Sequence, residues 1–535
     1  MFAGVKTAAL IGIKSYLVLC EADITRGLPR CVIVGLPDAA VNESEERIWA
    51  ALGNSGFELP LCRVRINLAP GDLRKEGPRF DLAIALAILA AQQSEGLGQR
   101  ELDGWLILGE LAMDGSVRSV KGVLSALLTA KRAGIKKVLI PYDNLPETSL
   151  AEDVECHGAV CLRHALSILL GDTKKDAEFL FCRQNERSAP AYGERQEAAG
   201  LSFNGSAGCD LKYVCGQRLA RRGLEICAAG AHHLLMMGPP GSGKTMLARC
   251  LPSIMPPLNR EEILETATIR TALGADFSDF TPLPPFRQPV SGVSPAGLLG
   301  SLQPGEVTLA HRGVLFLDEL PEFRRDCLEA LRGPLESGFV EIARAKIHIA
   351  YPCRFILAAA MNPCPCGFWG DAEKECVCTQ TQRRRYLSRI SGPLLDRIDL
   401  QLQVDRPKAR ELLTEAFSED SASVRMRVEA AAARQRERGV RCGFMDAEQT
   451  RRLCGLDKES RRFLTEQTER FSLSGRVKDR LCRTARTIAD LDGCEAVELA
   501  HLHEAMEYRA LDYASSVLEA DVHRSARRSL KPDLF

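Results

Sequence analysis

The sequence has no long apolar run and no excess of charge of either sign. Its 535 residues include 70 Lys and Arg and 70 Asp and Glu, so the formal net charge is zero. A balanced charge excludes a uniformly basic surface, so any contact with nucleic acid must come from local basic patches. The most apolar stretch, residues 82–91, is far shorter than the roughly 20 residues that span a bilayer. We therefore expect no contact with a membrane.

The first residues also lack the pattern of a secretion signal. Residues 1–6 show no charged start that leads into an apolar run and a cleavage site. We therefore expect a cytoplasmic protein. Hydrophobic residues make up 45% and charged residues 26% of the chain, which is typical of a globular protein. The length predicts roughly three or four domains.

Cysteine is plentiful, with 20 residues, but most occur singly inside apolar segments. Such residues behave as small core side chains, and a chain without an expected secretion signal gives no reason to predict disulfides. Only four cysteines cluster, as two Cys-x-Cys pairs separated by nine residues: Cys364, Cys366, Cys376 and Cys378. Four thiolates on this loop, 364–378, would make a tetrahedral zinc site, which we favour over free thiols or a redox pair.

The order of apolar runs predicts a multidomain α/β protein. The first region, 1–172, alternates short apolar runs with helical patterns, and strands alternating with helices are typical of α/β folds. Strands are expected at 31–35, 64–68 and 137–141, and a buried helix at 80–91. A polar stretch, 173–209, has the composition of a linker.

A second α/β region and a helical region follow the linker. Apolar strands recur between 210 and 405, which predicts a parallel sheet. Between 406 and 511 the strands disappear, and helical patterns rich in Arg, Glu, Ala and Leu predict a helical domain. The last residues, 512–535, read as a basic tail.

A phosphate-binding motif lies at the start of the second region. The apolar strand 234–237 runs into a glycine-rich loop, and a helical pattern follows at once, which is the context that a P-loop requires. The motif consists of Gly238, Pro239, Pro240, Gly241, Ser242, Gly243, Lys244 and Thr245. Backbone N–H groups of the loop would cradle the phosphates of ATP, and Lys244 would reach the β- and γ-phosphates. The Thr245 hydroxyl would bind Mg²⁺.

Two acidic residues follow an apolar strand about seventy residues later. A buried strand at 313–317 would deliver Asp318 beside the P-loop as a second Mg²⁺ ligand, and Glu319 could polarise the attacking water. An Asp-Glu pair alone would read as a helix cap. Asn362 ends the next apolar strand, where it could orient the lytic water; its alternative is a turn residue before Pro363.

These motifs, in this order, resemble the magnesium-chelatase-like AAA+ ATPases of the ComM/YifB family, and the resemblance covers almost the whole chain. The matching segments are 35–37, 67–70, 75–82, 109–111, 238–245, 315–323, 361–367 and 391–399. The resemblance implies a Lon-protease-like α+β domain at 1–172, an AAA+ core with a parallel sheet at 210–405 and a helical lid at 406–511. It also implies ATP and Mg²⁺ as ligands.

The resemblance assigns roles to three further side chains. Asn362 would be the sensor-1 residue, Arg397 an arginine finger that reaches ATP bound by a neighbouring subunit, and Arg476 the sensor-2 residue of the lid. A finger given to a neighbour makes hydrolysis depend on assembly, so the family resemblance implies a homo-oligomer, most simply a hexameric ring. Without the surrounding motifs, either arginine would read as a surface ion pair.

The AAA+ segments also resemble the helicase-like branch of the superfamily. There, residues 341–351 would form a hairpin that points into the ring pore and carries Arg344, Lys346 and His348. A ring of cations around a polyanion favours a DNA partner, either single-stranded or branched. The alternative is an ordinary exposed hairpin with solvated charges.

The first region resembles the proteolytic domain of Lon, most clearly at 131–141, but it lacks the nucleophile. Lon-type chemistry needs a serine beside a lysine, and Arg79 occupies the serine position here. The catalytic lysine falls at Leu124 in an ungapped alignment. The domain is therefore expected to be catalytically inactive and to serve ring assembly or binding of a protein partner.

These features are compatible with three functions. The favoured one is a hexameric, Mg²⁺-dependent ATPase that translocates on DNA as a branch-migration helicase in recombination and natural transformation. The alternative is a motor subunit that remodels a protein partner, as chelatase relatives do. The third, an ATP-dependent peptidase, is disfavoured by Arg79.

Overall fold

The computed structural model describes residues 1–172, 209–275, 282–344, 347–371, 373–407, 419–471 and 473–509. The predicted tail, 512–535, lies outside the described residues, and so do Lys346 and all of the predicted linker except residue 209. The described residues fall into two compact units, one drawn from Met1–Phe203, Ile263–Thr281 and Leu302–Pro304, the other from Asn204–Glu262, Pro282–Ser301 and Gly305–Phe535. The domain bounds at 172, 209, 405 and 511 stay a prediction.

The first unit is built on a seven-stranded mixed sheet in the order β3-β4-β2-β1-β5-β8-β9. The first two strands form an antiparallel hairpin in which Ile11 pairs with Lys14. Gly12 opens the two-residue turn with φ 62, a conformation that glycine adopts without a steric cost. The strands are β1 (Phe2–Ile11), β2 (Lys14–Thr25), β3 (Arg30–Val34), β4 (Arg63–Ala69), β5 (Trp105–Ile107), β6 (Glu110–Leu111), β7 (Val117–Arg118), β8 (Lys137–Pro141) and β9 (Glu155–Ala159).

Helices pack on this sheet, and one of them is buried on all sides. The helix expected at 80–91 is present as α2, in which every residue from Asp81 to Ala91 is buried. A helix that is apolar all round belongs in a core, and this one contacts β1 and β2. The helices are α1 (Ala39–Asn54), α2 (Asp81–Gln92), α3 (Gln99–Leu102), α4 (Val123–Arg132) and α5 (Leu162–Leu170).

The second unit has a five-stranded, all-parallel sheet in the order β11-β12-β15-β10-β16. Parallel strands bring their carboxyl ends to one edge, so β10, β12 and β15 deliver the residues that follow them to the same place. The remaining two strands form an antiparallel hairpin. The strands are β10 (Leu234–Met237), β11 (Phe286–Arg287), β12 (Val314–Leu317), β13 (Phe339–Arg344), β14 (Ile347–Pro352), β15 (Ile356–Met361) and β16 (Leu400–Gln403).

Helices cover this sheet and continue beyond it as a helical region. The apolar core of the unit extends from the strands into that region, from Leu234 and Phe316 to Val428, Leu481 and Leu502. The helices are α6 (Arg218–Gly230), α7 (Lys244–Ile254), α8 (Arg260–Ala272, assigned to the first unit from residue 263), α9 (Pro295–Leu299), α10 (Glu306–Leu309), α11 (Arg325–Ala330), α12 (Arg332–Ser337), α13 (Gln380–Leu387), α14 (Gly392–Leu395), α15 (Ser421–Glu437), α16 (Ala447–Leu453), α17 (Lys458–Phe471), α18 (Gly475–Asp492) and α19 (Leu499–Glu507).

The predicted fold class is confirmed: α/β, with parallel strands in the second unit and a helical region near the C-terminus. Among the described residues, no helix has both the length and the apolar character needed to cross a bilayer.

Candidate nucleotide-binding site

The glycine-rich loop joins β10 directly to α7. Strand β10 ends at Met237, and α7 begins at Lys244. A Cβ atom added to Gly238 would lie 2.0 Å from the carbonyl oxygen of Val404, so only glycine fits beside the backbone there. Gly243 precedes the helix with φ 86, in the left-handed region. The loop therefore presents backbone N–H groups at a helix N-terminus, which is an arrangement suited to phosphate.

The Lys244 side chain is folded back over this loop. Its Nζ donates to the carbonyl oxygens of Gly238 at 2.8 Å and Pro239 at 2.9 Å. It also donates to Ser242 Oγ at 3.3 Å and to Asn362 Oδ1 at 3.4 Å. Burial lowers the pKa of Lys244 to about 8, and the nearby charge of Asp318 opposes this shift. The ammonium group thus has only neutral partners, which it can exchange for phosphate oxygens.

This pKa predicts a pH dependence for ATP binding. The charged lysine is populated below its pKa and lost above it, and a triphosphate requires the charged form. The dissociation constant of ATP should therefore rise by about tenfold between pH 7 and pH 9. Binding of a fluorescent ATP analogue measures this. Lys244→Arg, which keeps its charge throughout this range, should remove the dependence; an equal rise in that variant would contradict the assignment.

Thr245, in the first turn of α7, contacts Asp318. Thr245 Oγ1 donates to Asp318 Oδ2 at 2.8 Å, although 73 residues separate the two in sequence. Asp318 immediately follows β12, whose Leu317 pairs with Ala359 of β15. A hydroxyl and a carboxylate are hard oxygen ligands of the kind that Mg²⁺ prefers, so these two residues fit a magnesium ion that also binds substrate phosphates.

Glu319 has an unusual backbone conformation beside Asp318. Its φ is 52, in the left-handed region, and its N–H donates to Asp318 Oδ1 at 3.0 Å. Such a conformation costs a non-glycine residue of order 1–3 kcal/mol and is concentrated at functional sites. The side chain is exposed. A carboxylate held in this way is accessible to water next to the candidate magnesium ligands.

Asn362 follows β15, which lies between β12 and β10 in the sheet. Its Oδ1 accepts from Lys244 Nζ, so this amide reaches the same point as the P-loop lysine. The structure therefore brings together four predicted site residues, Lys244, Thr245, Asp318 and Asn362, and places Glu319 beside them.

Arg397 and Arg476 meet at a different carboxylate, that of Glu336. The Oε1 atom of Glu336 accepts from Arg397 Nη2 at 2.5 Å and lies 3.4 Å from Arg476 Nη1. The Arg397 side chain is 5% exposed and that of Arg476 is 61% exposed. Burial lowers the pKa of Arg397, and Glu336 opposes this. Within the described residues, neither guanidinium forms an ion pair with Asp318 or Glu319.

A buried ion pair ties the Arg397 segment to helix α18. Arg480, one turn after Arg476, donates to Asp399 Oδ1 at 2.5 Å, and the His233 N–H donates to Asp399 Oδ2 at 2.9 Å. Burial acts to raise the pKa of Asp399, but the charge of Arg480 together with the neighbouring His232 and His233 outweighs it and holds that pKa well below its usual value. Sequence reasoning did not single out Glu336, Asp399 and Arg480, because the contacts Glu336–Arg397 and Asp399–Arg480 join segments that are far apart in the chain.

The four clustered cysteines converge after Asn362. The sulfur of Cys364 lies 3.3 Å from that of Cys366 and 3.6 Å from that of Cys376, and all four sulfurs lie within 4.8 Å of one another. Tetrahedral zinc with Zn–S bonds of about 2.3 Å places its sulfurs about 3.8 Å apart, so the four thiols fit this metal. An added Cβ on Gly367 would lie 2.6 Å from Pro240 Cδ, so the cysteine loop packs on the P-loop.

The position that corresponds to the Lon nucleophile is occupied by a buried guanidinium. Arg79 is 5% exposed, and burial lowers its pKa to about 10 while Glu147 opposes the shift. Glu147 accepts the N–H of Leu124 at 3.0 Å, at the position expected for the catalytic lysine. Among the described residues, neither Nε nor Nη2 of Arg79 has a hydrogen-bond partner. Neither position carries a serine or a lysine.

The hairpin predicted at 341–351 is present as β13 and β14, and its place in a ring pore stays a prediction. The backbone of Arg344 pairs with Ile347 at its tip, and His348 is exposed. The side chain of Arg344 and all of Lys346 lie outside the described part of the chain.

Comparisons with known proteins agree with this architecture. Family profiles described as magnesium chelatase subunit ChlI match residues 20–144 and 210–412, and its C-terminal part matches 418–509. The chain is 41% identical over 514 residues to the protein YifB of Salmonella typhimurium, covering 95% of this chain and 97% of that one. It is 38% identical over 513 residues to competence protein ComM of Haemophilus influenzae, with the same coverage.

A shorter similarity concerns the N-terminal part. The chain is 28% identical over 131 residues to the Lon protease of Leptospira interrogans, covering 24% of this chain and 15% of that protein. The Lon-like character of the first region is thereby supported, together with the fold class. With near-complete coverage of its relatives at about 40% identity, the chain belongs to the magnesium-chelatase-like AAA+ ATPases of the ComM/YifB family.

Proposed function

We propose that this protein is a Mg²⁺-dependent ATPase that works as a hexameric ring and drives branch migration of DNA during recombination and natural transformation. The observation that carries the ATPase is the convergence of Lys244, Thr245, Asp318 and Asn362 at one edge of the sheet. The DNA substrate is supported by full-length similarity to a relative named as a competence protein.

Each residue of the site has a distinct task in this proposal. Lys244 exchanges its carbonyl partners for the β- and γ-phosphates of ATP. Thr245 and Asp318 hold Mg²⁺, which neutralises charge on the phosphates. Glu319 takes a proton from the attacking water, and Asn362 orients that water against the γ-phosphate.

Arg397 completes the site of a neighbouring copy, and Arg476 is the sensor-2 residue of the lid. Both guanidinium groups contact the same oxygen of Glu336, so their positive charges lie close together. Two guanidinium groups arranged in this way can also bind one phosphoryl oxygen. Among the described residues, Arg397 forms no ion pair with Asp318 or Glu319 of its own chain, and we assign it to the nucleotide of the adjacent subunit. Hydrolysis then depends on the ring.

The DNA assignment has a direct test. We expect ATP turnover by assembled rings to rise several-fold with single-stranded or branched DNA, and the stimulation to fall steeply with salt, because cations of the pore hairpin such as Arg344 and Lys346 release counterions from the phosphates. Lys244→Ala provides the background rate. Unchanged turnover together with no salt-sensitive DNA binding would refute the DNA assignment while leaving the ATPase intact.

A second candidate follows from the family profiles, all of which are named for a magnesium chelatase subunit. In that case the ring would remodel a protein partner, with the first unit as a docking or ring-assembly domain. Turnover stimulated by a large protein partner and indifferent to DNA would favour this candidate. Peptidase activity is disfavoured because Arg79 stands where a nucleophile is needed.

We further propose that Cys364, Cys366, Cys376 and Cys378 hold a structural zinc ion. Metal analysis of the purified protein should find one zinc per chain, and Cys376→Ser should lose it because three thiolates bind zinc much more weakly than four. The control is Cys494→Ser, which removes a partly buried cysteine outside the cluster. Absence of zinc together with four titratable thiols in the cluster would contradict the proposal.

A further inference from the structure

Aromatic rings and cations alternate around the cysteine loop. The Arg383 guanidinium lies over the Trp369 ring, 5.2 Å from its centroid. Lys374 Nζ lies 5.2 Å, and the Arg406 guanidinium 5.5 Å, from the centroid of the Phe368 ring. Both rings are partly exposed. These five residues form what we call the aromatic–basic surface.

Helix α13 extends this surface with further positive charge. Arg384 and Arg385 follow Arg383 and are exposed, and in the described part of the chain neither forms an ion pair or a side-chain hydrogen bond. The sequence carries four arginines and no acidic residue between Glu375 and Asp396. The acidic side chains nearby pair with other arginines: Asp371 and Glu373 with Arg406, and Glu322 with Arg389. Within the described ranges, Arg384 and Arg385 of α13 therefore have no acidic partner.

We infer that the aromatic–basic surface and α13 bind single-stranded nucleic acid. In a duplex the faces of the bases are stacked on one another and are not accessible. In a single strand they are accessible and can stack on aromatic rings such as Phe368 and Trp369. The exposed guanidinium groups of Arg384 and Arg385 would contact phosphates of the same strand. This inference deepens the proposed DNA function and rests on it.

The surface is also joined to the nucleotide site. Tyr386 of α13 is 8% exposed and lies beside the backbone of Asn362, whose side chain contacts Lys244. Gly367, which directly precedes Phe368, packs on Pro240 of the P-loop. A strand held here can therefore alter the positions of Asn362 and the P-loop, which gives DNA-stimulated hydrolysis a physical route.

The first test uses the full chain with fluorescein-labelled oligo(dT) as the probe. The double variant R384A/R385A should bind it at least tenfold more weakly and should lower the slope of log K against log salt by about 1.4, since each lost phosphate contact removes about 0.7 for single strands. The matched control is R461A/R462A, two adjacent exposed arginines of α17. ATP turnover in the absence of DNA should be unchanged in both double variants.

The second test locates the strand by fluorescence. The chain has three tryptophans, of which only Trp369 lies in the second unit. Oligo(dT) should quench part of the tryptophan emission, and Trp369→Phe should abolish that quenching while largely retaining binding, because phenylalanine still stacks.

The outcomes separate this inference from the proposed function. Wild-type protein that does not bind oligo(dT) or branched DNA refutes the DNA function itself. If the wild-type protein binds oligo(dT) and R384A/R385A binds it as tightly as the control variant, the assignment of binding to this surface is wrong. Quenching that persists in Trp369→Phe would have the same meaning, and in both cases the proposed DNA function would stand. A double variant that binds the strand normally but fails to form rings would also overturn it and make α13 a contact between subunits.

Discussion

Arg397→Ala is expected to lower ATP turnover of the assembled ring by about 10³-fold or more, because arginine fingers contribute on the order of 10³–10⁵ to the rate of phosphoryl transfer. ATP binding should persist, since the P-loop of each chain is intact. Turnover is measured on rings isolated by size-exclusion chromatography, together with nucleotide binding on the same sample.

The ion pair between the buried Arg397 side chain and the half-exposed Glu336 makes a matched control essential. Glu336→Gln removes the negative charge from the same ion pair but keeps the guanidinium. If the loss in Arg397→Ala came only from disrupting this ion pair, both variants would lose turnover equally. The finger assignment predicts that Glu336→Gln retains most of the activity. Wild-type turnover by Arg397→Ala rings would refute the finger.

Glu319→Gln is the second large effect. The amide cannot accept a proton from water, so turnover should fall by about 10²–10⁴-fold, the usual contribution of a general base. Since the side chain is exposed and the substitution keeps its shape, stability and ATP affinity should be unchanged. Rings of this variant should therefore accumulate bound ATP.

Its control is Glu322→Gln, which alters an exposed glutamate three residues later that pairs with Arg389. This variant should keep near wild-type turnover. Retained hydrolysis in Glu319→Gln would show that another group activates the water.

The sequence could predict that Thr245, Asp318 and Asn362 lie together at the P-loop because the signals are local. The strand–loop–helix pattern around Lys244 is contiguous, and parallel strands must deliver Asp318 and Asn362 to the edge where the P-loop lies. The ends of the strands are likewise set by residues close by in the sequence. The strand expected at 31–35 ends one residue earlier, because Gly35 has φ 109 and approaches the backbone of Leu68.

The partners of Arg397 and Arg480 are set by tertiary contacts and could not be predicted from the sequence. Glu336 and Arg397 are 61 residues apart, and Asp399 and Arg480 are 81 apart, so no helical or strand period connects them. The same holds for the stacking of Trp369 on Arg383, which a count of charges does not reveal. For the cysteines, spacing suggested a cluster, and the structure adds the sulfur–sulfur distances that fit zinc.

The central claim is that one chain supplies the P-loop and its neighbour supplies Arg397. Mixing Lys244→Ala chains with Arg397→Ala chains tests it most directly, because each is inactive alone but a mixed ring contains interfaces with an intact loop and an intact finger. In a random equimolar ring about a quarter of the interfaces are complete, so turnover should recover to about that fraction of wild type. Mixtures that, after verified exchange of subunits, remain as inactive as the two separate variants would contradict the claim.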